Sequence, residues 1–296
     1  MTAAVALDHV GICGRDLAPL VAAWERLGFA LSPMARQSGR RTPDGPVEPF
    51  GTANRCAFLR HGYVELLALA DPALFANGLD GFLARYAGMH ILALGVQDAE
   101  VNLARLRRGG LDIPGIAWLE RPVDAPDGPR ARFARLPLPD APEGRIQLIQ
   151  HMTPDLVWNP AWMGHRNGAE ALTAAILCSA EPAWTAARLS RLSGLPARPD
   201  PAGGFFVSLP GADGAAGPFS GRIETRVRVL PPEALARVLP GVEPPSLPFM
   251  AGLVVRTDDR CAAARALLAG AATVEAPDGL MVPPALTGGA ALVFAP

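Results

Sequence analysis

The chain has 296 residues, half of them apolar, with 27 basic and 28 acidic residues. At roughly 150 residues per domain this length favours two domains, and so large an apolar fraction excludes a disordered chain. A net charge of −1 offers no sequence-wide attraction to nucleic acid or to an anionic membrane.

No apolar run approaches the roughly 18 to 20 residues of a membrane span. The opening segment, Met1 to Val10, meets Asp8 and His9 at once and lacks the basic region of a signal peptide. Cys13, Cys56, Cys178 and Cys261 are far apart, with no CxxC spacing. They read as reduced thiols, and a cytoplasmic protein is expected.

Residues 7–15, LDHVGICGR, read as a strand with His9 and Gly11 on one face and Asp8, Val10 and Ile12 on the other. Asp16 reads as an N-cap, Leu17, Leu20, Val21, Trp24 and Leu27 follow at helical spacing, and Gly28 closes the helix. Strand-like pieces at 29–36, 53–60 and 62–69 complete a first unit. A second unit begins at GMHILAL, with His90 in its strand, Asp98 as N-cap and a helix ending in Gly109-Gly110. Its later strands are expected at 115–123, 130–137 and 144–151. From Asp16 to Gly28 and from Asp98 to Gly110 the interval is 12 residues in each case. Both units read β-α-β-β-β.

Glu65, in YVELLAL, lies 56 residues after His9, and Gln147, in RIQLIQH, lies 57 after His90. The connector at 153–168 is rich in Pro, Trp and Asn. Beyond it the pattern repeats more faintly, with strands at 171–180, 205–209, 221–229 and 250–257, a helix around 182–193, and Asp258 leading a second helix through Leu268. The expected fold is α+β, with four β-α-β-β-β modules in two pairs, curved mainly antiparallel sheets and helices outside. The expected domains are 1–152, holding the site, and 169–296, a degenerate second pair. Glu224, in GRIET, is the single residue of that pair at a ligand-like position, and one acid without imidazoles is not a site.

All five histidines precede residue 166. A polar side chain on the inner face of a strand costs free energy unless it is paired. Two imidazoles and one carboxylate, from His9, His90 and Glu65, form the ligand set of a divalent metal site with open positions for substrate. The ion would be one of Fe, Mn, Zn or Ni. His151, four residues beyond Gln147, would stand some 13 Å along the strand at about 3.3 Å per residue. It is expected at the rim, as a candidate catalytic or substrate-contacting residue. His165 in the connector either folds over the cleft mouth or caps a turn, and His61 is expected in a solvated turn. Arg40 and Arg41, in the Gly/Pro/Arg-rich loop from Gln37 to Gly51, could bind an anionic group or simply be solvated. Asn54 is a weak candidate for a substrate contact.

The segments LDHVGICGRDL, GTANRCAFL, GYVELLAL and GMHILAL resemble the vicinal oxygen chelate superfamily, and more narrowly its glyoxalase-like domain proteins, over about residues 5–152. The resemblance implies one curved sheet per module pair, with ligands projecting from the first and last strands of each module. It places His9, Glu65 and His90 at three ligand positions and Gln147 at the fourth, where glutamate is usual. An amide cannot take a proton at neutral pH, so the usual glyoxalase route is not expected here. The leading function is a metal-dependent lyase or isomerase acting on a small oxygenated organic substrate through an oxyanion or enolate. An extradiol-type dioxygenase and a non-catalytic small-molecule binding protein are the alternatives. A small-molecule partner is expected, nucleic acid and membrane are not, and a homodimer is left open.

Overall fold

The computed structural model describes residues 3–41, 45–123, 128–138, 141–213, 217–219 and 221–296. Four β-α-β-β-β modules follow one another. The first is β1 (Ala6–Gly14), α1 (Leu17–Arg26), β2 (Ala35–Gly39), β3 (Glu48–Phe58) and β4 (Tyr63–Leu69). After α2 (Leu79–Arg85) comes the second: β5 (Gly88–Gly95), α3 (Ala99–Arg108), β6 (Ala117–Pro122), β7 (Arg130–Pro137) and β8 (Arg145–His151). The third is β9 (Ala169–Cys178), α4 (Pro182–Ser193), β10 (Ala197–Pro199), β11 (Phe205–Leu209) and β12 (Thr225–Leu230). Past α5 (Pro232–Val238), the fourth is β13 (Phe249–Thr257), α6 (Ala262–Leu267), β14 (Val274–Ala276), β15 (Gly279–Val282) and β16 (Ala291–Ala295).

The strands form one curved 16-stranded sheet. Its main path runs β10-β11-β12-β9-β13-β5-β1-β4-β3-β2, with β16-β15-β14 branching from β13 and β8-β7-β6 from β5. In every module the first and last strands are parallel, β1 with β4, β5 with β8, β9 with β12 and β13 with β16. The two module pairs join where β5 meets β13, at Met89 opposite Met250.

Local chemistry sets the element boundaries. The Asp16 side chain accepts the Ala18 N–H and that of Asp98 accepts the Val101 N–H, so each helix starts on a satisfied backbone donor. Gly28 follows α1 at φ +89°, where a Cβ would lie 2.4 Å from Leu267 Cδ2. The segment 37–51, read as a loop, instead carries the end of β2 and the start of β3, paired across Ser38 and Pro49. Edge pairing through the backbone overrides its Gly and Pro content; Thr42, Pro43 and Asp44 lie outside the described residues. The last helix begins at Ala262 and not after Asp258. The seven-residue helices α2 and α5 carry too few turns to show as a helical period.

Helices α1, α3, α4 and α6 pack on one face of the sheet in a core shared by both pairs, through Leu20, Trp24, Leu106, Leu189 and Ala264. Trp24 is fully buried and its indole N–H donates to the Thr287 carbonyl at 2.8 Å, tying the first module to the last. On the opposite face the two pairs differ. In the second pair α5 fills the concavity, its Ala234, Leu235 and Val238 packed on Ile176, Phe249 and Val254. In the first pair α2 covers one end, over Cys13, Leu67 and Ile91, and Trp158 of the connector covers the other. Among the described residues no helix is long and apolar enough to cross a membrane.

Candidate active site

The site is built on two bulges in the pairing of β1 with β5. Leu7 faces Leu94 and His9 faces Ala93, which leaves Asp8 as the extra residue on β1. Gly11 faces Ile91 and Ile12 faces Met89, which leaves His90 as the extra residue on β5. A bulge sets aside strict alternation. Asp8 therefore reaches the His9 ring instead of facing away from it.

The interval between the N-caps Asp16 and Asp98, 82 residues, carries Leu7 onto Met89, Asp8 onto His90, His9 onto Ile91 and Glu65 onto Gln147. The ladders obey the same relation. Glu65 stands beside Gly11 just as Gln147 stands beside Ala93. The four equivalent inward positions are thus His9, Glu65, Ile91 and Gln147. The second imidazole expected from sequence spacing, that of His90, is one residue out of register.

Asp8 is completely buried. Its Oδ1 accepts the His9 Nδ1–H at 2.6 Å and its Oδ2 accepts the His151 Nε2–H at 3.0 Å. Burial alone would raise its pKa, but the charge and hydrogen bond of His151 and the same interactions with His9 outweigh it and bring the carboxyl down to about 2. In the tautomer that commits Nδ1–H to Asp8, Nε2 of His9 is an acceptor, and the Gln147 amide N–H donates to it across 3.3 Å. The His9 ring also stacks on Tyr63, with centroids 4.4 Å apart.

Glu65 Oε1 accepts from the Asn54 amide at 2.5 Å and from the Gln37 amide at 3.4 Å, while Thr52 Oγ1–H donates to Gln37 Oε1 at 2.6 Å. These partners hold the carboxylate on the same face as His9. Asn54 thus meets the site by orienting Glu65. His151 is not at a rim. It is buried against Trp158 and Phe133 and touches the site through Asp8, because the bulge swings that carboxylate toward it.

His90 is not brought to His9 and Glu65. Its ring lies between Phe82 (centroid distance 5.0 Å) and Tyr86 (3.9 Å), and its Nε2–H donates to the Tyr86 carbonyl at 2.9 Å. Burial pushes its pKa down to about 4, so the ring is neutral and the buried Nδ1 has no hydrogen-bond partner. Ile91, at the position a second imidazole would need, packs with Cys13 and Leu67 under α2. Among the described residues no group of three or more His, Cys, Asp or Glu side chains is arranged to hold a metal ion. One imidazole, one carboxylate and one amide beside an isoleucine do not fit the divalent ion expected from His9, Glu65 and His90.

The remaining candidates fall outside the site. His165 Nδ1 accepts the Ala30 N–H at 3.1 Å and its Nε2–H donates to the Phe58 carbonyl at 2.8 Å, so both ring nitrogens are used in holding the connector down. Arg41 is exposed, pairs with Glu48 at 3.1 Å and lies 4.8 Å above the Phe75 ring. Glu224 is exposed and bonded to Arg226 at 3.0 Å. Sequence reasoning missed Asp8, and the cap-to-cap interval was the signal that could have found it. It also missed Arg135 and Arg145, which with Gln147, Phe82 and Leu138 line a cavity of about 260 Å³ beside the site.

The profile of a family described as "Glyoxalase-like domain" matches residues 7–193, more than half of the chain. A hypothetical protein from Staphylococcus aureus is similar in structure, with a TM-score of 0.58, 14% identity and 99% of each chain covered. The Mn(II)-bound glyoxalase from Novosphingobium aromaticivorans has a TM-score of 0.54 at 11% identity, over 99% of this chain and 82% of its own. A mutant 4-hydroxymandelate synthase from Streptomyces coelicolor has a TM-score of 0.54 at 13% identity, over 93% of this chain and 78% of its own. At these identities the likeness is one of fold. No curated protein matches the chain in sequence.

Proposed function

The chain belongs to the glyoxalase-like domain family, and from that premise we propose that it is an isomerase or lyase in which His9 takes a proton from a small oxygenated organic substrate. The observation that carries the reading is the Asp8–His9 pair. A buried carboxylate holds Nδ1–H and leaves Nε2 as the basic nitrogen, facing Gln147. This is the geometry by which an orienting acid fixes the tautomer of a general base and stabilises the imidazolium that forms.

The steps assigned to the chain's own residues are few. Substrate displaces the long contact between Gln147 and His9 and presents an acidic C–H, next to a carbonyl, to Nε2. The freed Gln147 amide N–H donates to the oxygen on which negative charge develops. Glu65, held by Asn54 and Gln37, is the second proton-transfer group on this face. Returning the proton to a neighbouring atom isomerises the substrate, and expelling a leaving group makes the reaction an elimination. No step is routed through a metal, because the donor set does not fit one.

Exchange of substrate C–H for deuterium in D₂O, followed by NMR over a panel of small α-hydroxy ketones and 2-oxo acids, tests this reading. His9→Gln is expected to abolish exchange. Asp8→Asn is expected to slow it by about 10² to 10⁴-fold, the usual contribution of a positioned acid–base group. Exchange that survives His9→Gln at the wild-type rate would sink the assignment.

A further inference from the structure

We propose that the cavity between β7 and β8 is an oxyanion-binding subsite, so that the substrate is a small organic acid or phosphate ester held by Arg135 and Arg145. This deepens the proton-transfer reading and rests on it for the word substrate; the binding site itself stands on separate observations.

Arg145 opens β8 and lies on the same face as Gln147, two residues on. Arg135 sits on β7 directly opposite Ile149, which continues that face. Both guanidiniums line the 260 Å³ cavity, and Gln147 is part of its wall. Each guanidinium offers five N–H donors. Arg145 spends one on the Asn77 carbonyl at 2.6 Å and lies 5.3 Å above the Phe82 ring. The Arg135 Nε is buried and has no partner. Among the described residues neither arginine is in an ion pair, whereas Arg188, Arg228 and Arg265 each have a carboxylate at their guanidinium.

Two cations that face one concavity without a direct ion pair among the described residues are costly to keep. Burial and the neighbouring Arg145 both lower the pKa of Arg135, and only Glu65 opposes them. Such a pair is explained by what it binds. Arginine forks match the paired oxygens of carboxylate and phosphate, which a point charge does not. The rest of the wall, Phe82, Pro137 and Leu138, suits a short apolar body. A cavity of about 260 Å³ has room for a compact metabolite. An acid anchored here extends past Gln147 toward His9 Nε2, with charge and reacting carbon at opposite ends of one short molecule.

Calorimetric titration with malonate, inorganic phosphate and the neutral analogue malonamide tests the subsite on the intact chain. Saturable binding of malonate or phosphate is expected, with no binding of malonamide. Preference for malonate points to a carboxylate substrate and preference for phosphate to a phosphate ester. Arg135→Met and Arg145→Met should each weaken anion binding by at least about tenfold. His9→Gln should leave it within about twofold, so a failure of the proton-transfer reading does not read as a failure of the subsite. The double methionine variant should keep the wild-type circular dichroism spectrum and lose anion binding. If that variant is misfolded, Arg135→Lys serves instead, with charge kept and anion binding weakened. Equal binding of malonate and malonamide, no anion binding by the wild type, or wild-type affinity in the arginine variants would each overturn the proposal.

Discussion

His90 is the structural counterpart of Asp8, and His9 is the counterpart of Ile91. Asp8 and His90 are the two bulged residues of the β1–β5 ladder, related by the same 82-residue interval as the helix caps Asp16 and Asp98. One of the pair became the carboxylate behind a cleft-facing imidazole. The other became an imidazole locked between Phe82 and Tyr86.

Restoring the missing imidazole should therefore restore metal affinity. Ile91→His adds a nitrogen donor at the position equivalent to His9, completing a set with Glu65 and Gln147. After loading with Mn²⁺ or Zn²⁺ and dialysis, this variant should retain about one ion per chain by elemental analysis, and His90→Ala should not change the metal content of the wild type. A fall in bound metal on His90→Ala would put His90 back into a ligand set.

The low pKa of Asp8 makes its contacts a source of pH-dependent stability. The folded value, about 2, lies below the ordinary 3.8. The contribution is complete above pH 3.8 and is lost as pH falls through 2, amounting to on the order of 2 kcal/mol at neutral pH. Asp8→Asn should lower unfolding stability by about that much at pH 7 in urea titrations. The gap from wild type should narrow between pH 4 and pH 2.

His90 acts in the same direction over a higher pH range. Its folded pKa is about 4 against an ordinary 6.5, so the unfolded chain binds its proton first. Stability is unaffected above pH 6.5 and falls between 6.5 and 4, by on the order of 2 kcal/mol at pH 5. His90→Phe keeps a ring between Phe82 and Tyr86 and removes the titration. Its stability should change less than that of the wild type from pH 7.5 to pH 5, as read by thermal melts at each pH.

His165 is a structural residue in this account. His165→Ala removes the bonds to Ala30 and Phe58 and should cost about 1 to 3 kcal/mol, since both backbone groups lose a partner. Malonate affinity should stay at the wild-type value. A selective loss of affinity without loss of stability would return His165 to the cleft.

The repeat of strand, capped helix and glycine was legible from sequence because it rests on local rules. Asp16, Asp98, Gly28 and Gly110 act through their own backbone neighbourhoods, and the expected strands at 130–137 and 205–209 coincide with β7 and β11. The site was legible only in part. His9, Glu65 and Gln147 lie on the cleft face as alternation predicts. Asp8 and His90 do not obey alternation, because a bulge is a property of two paired strands and leaves no mark in either one alone. Matching histidine to histidine across the repeat therefore fell one residue out of step, while matching cap to cap did not. Arg135 and Arg145 were invisible for another reason. Nothing in 27 dispersed arginines marks out the two that the fold brings to one cavity wall.

The filling of the second concavity by α5 has a consequence for titration curves. Leu235 and Val238 pack into the concavity of the second pair, so the proposed binding event has no counterpart there. Saturation should come at one ligand per chain with a hyperbolic isotherm, and any sigmoid curve would have to arise between chains.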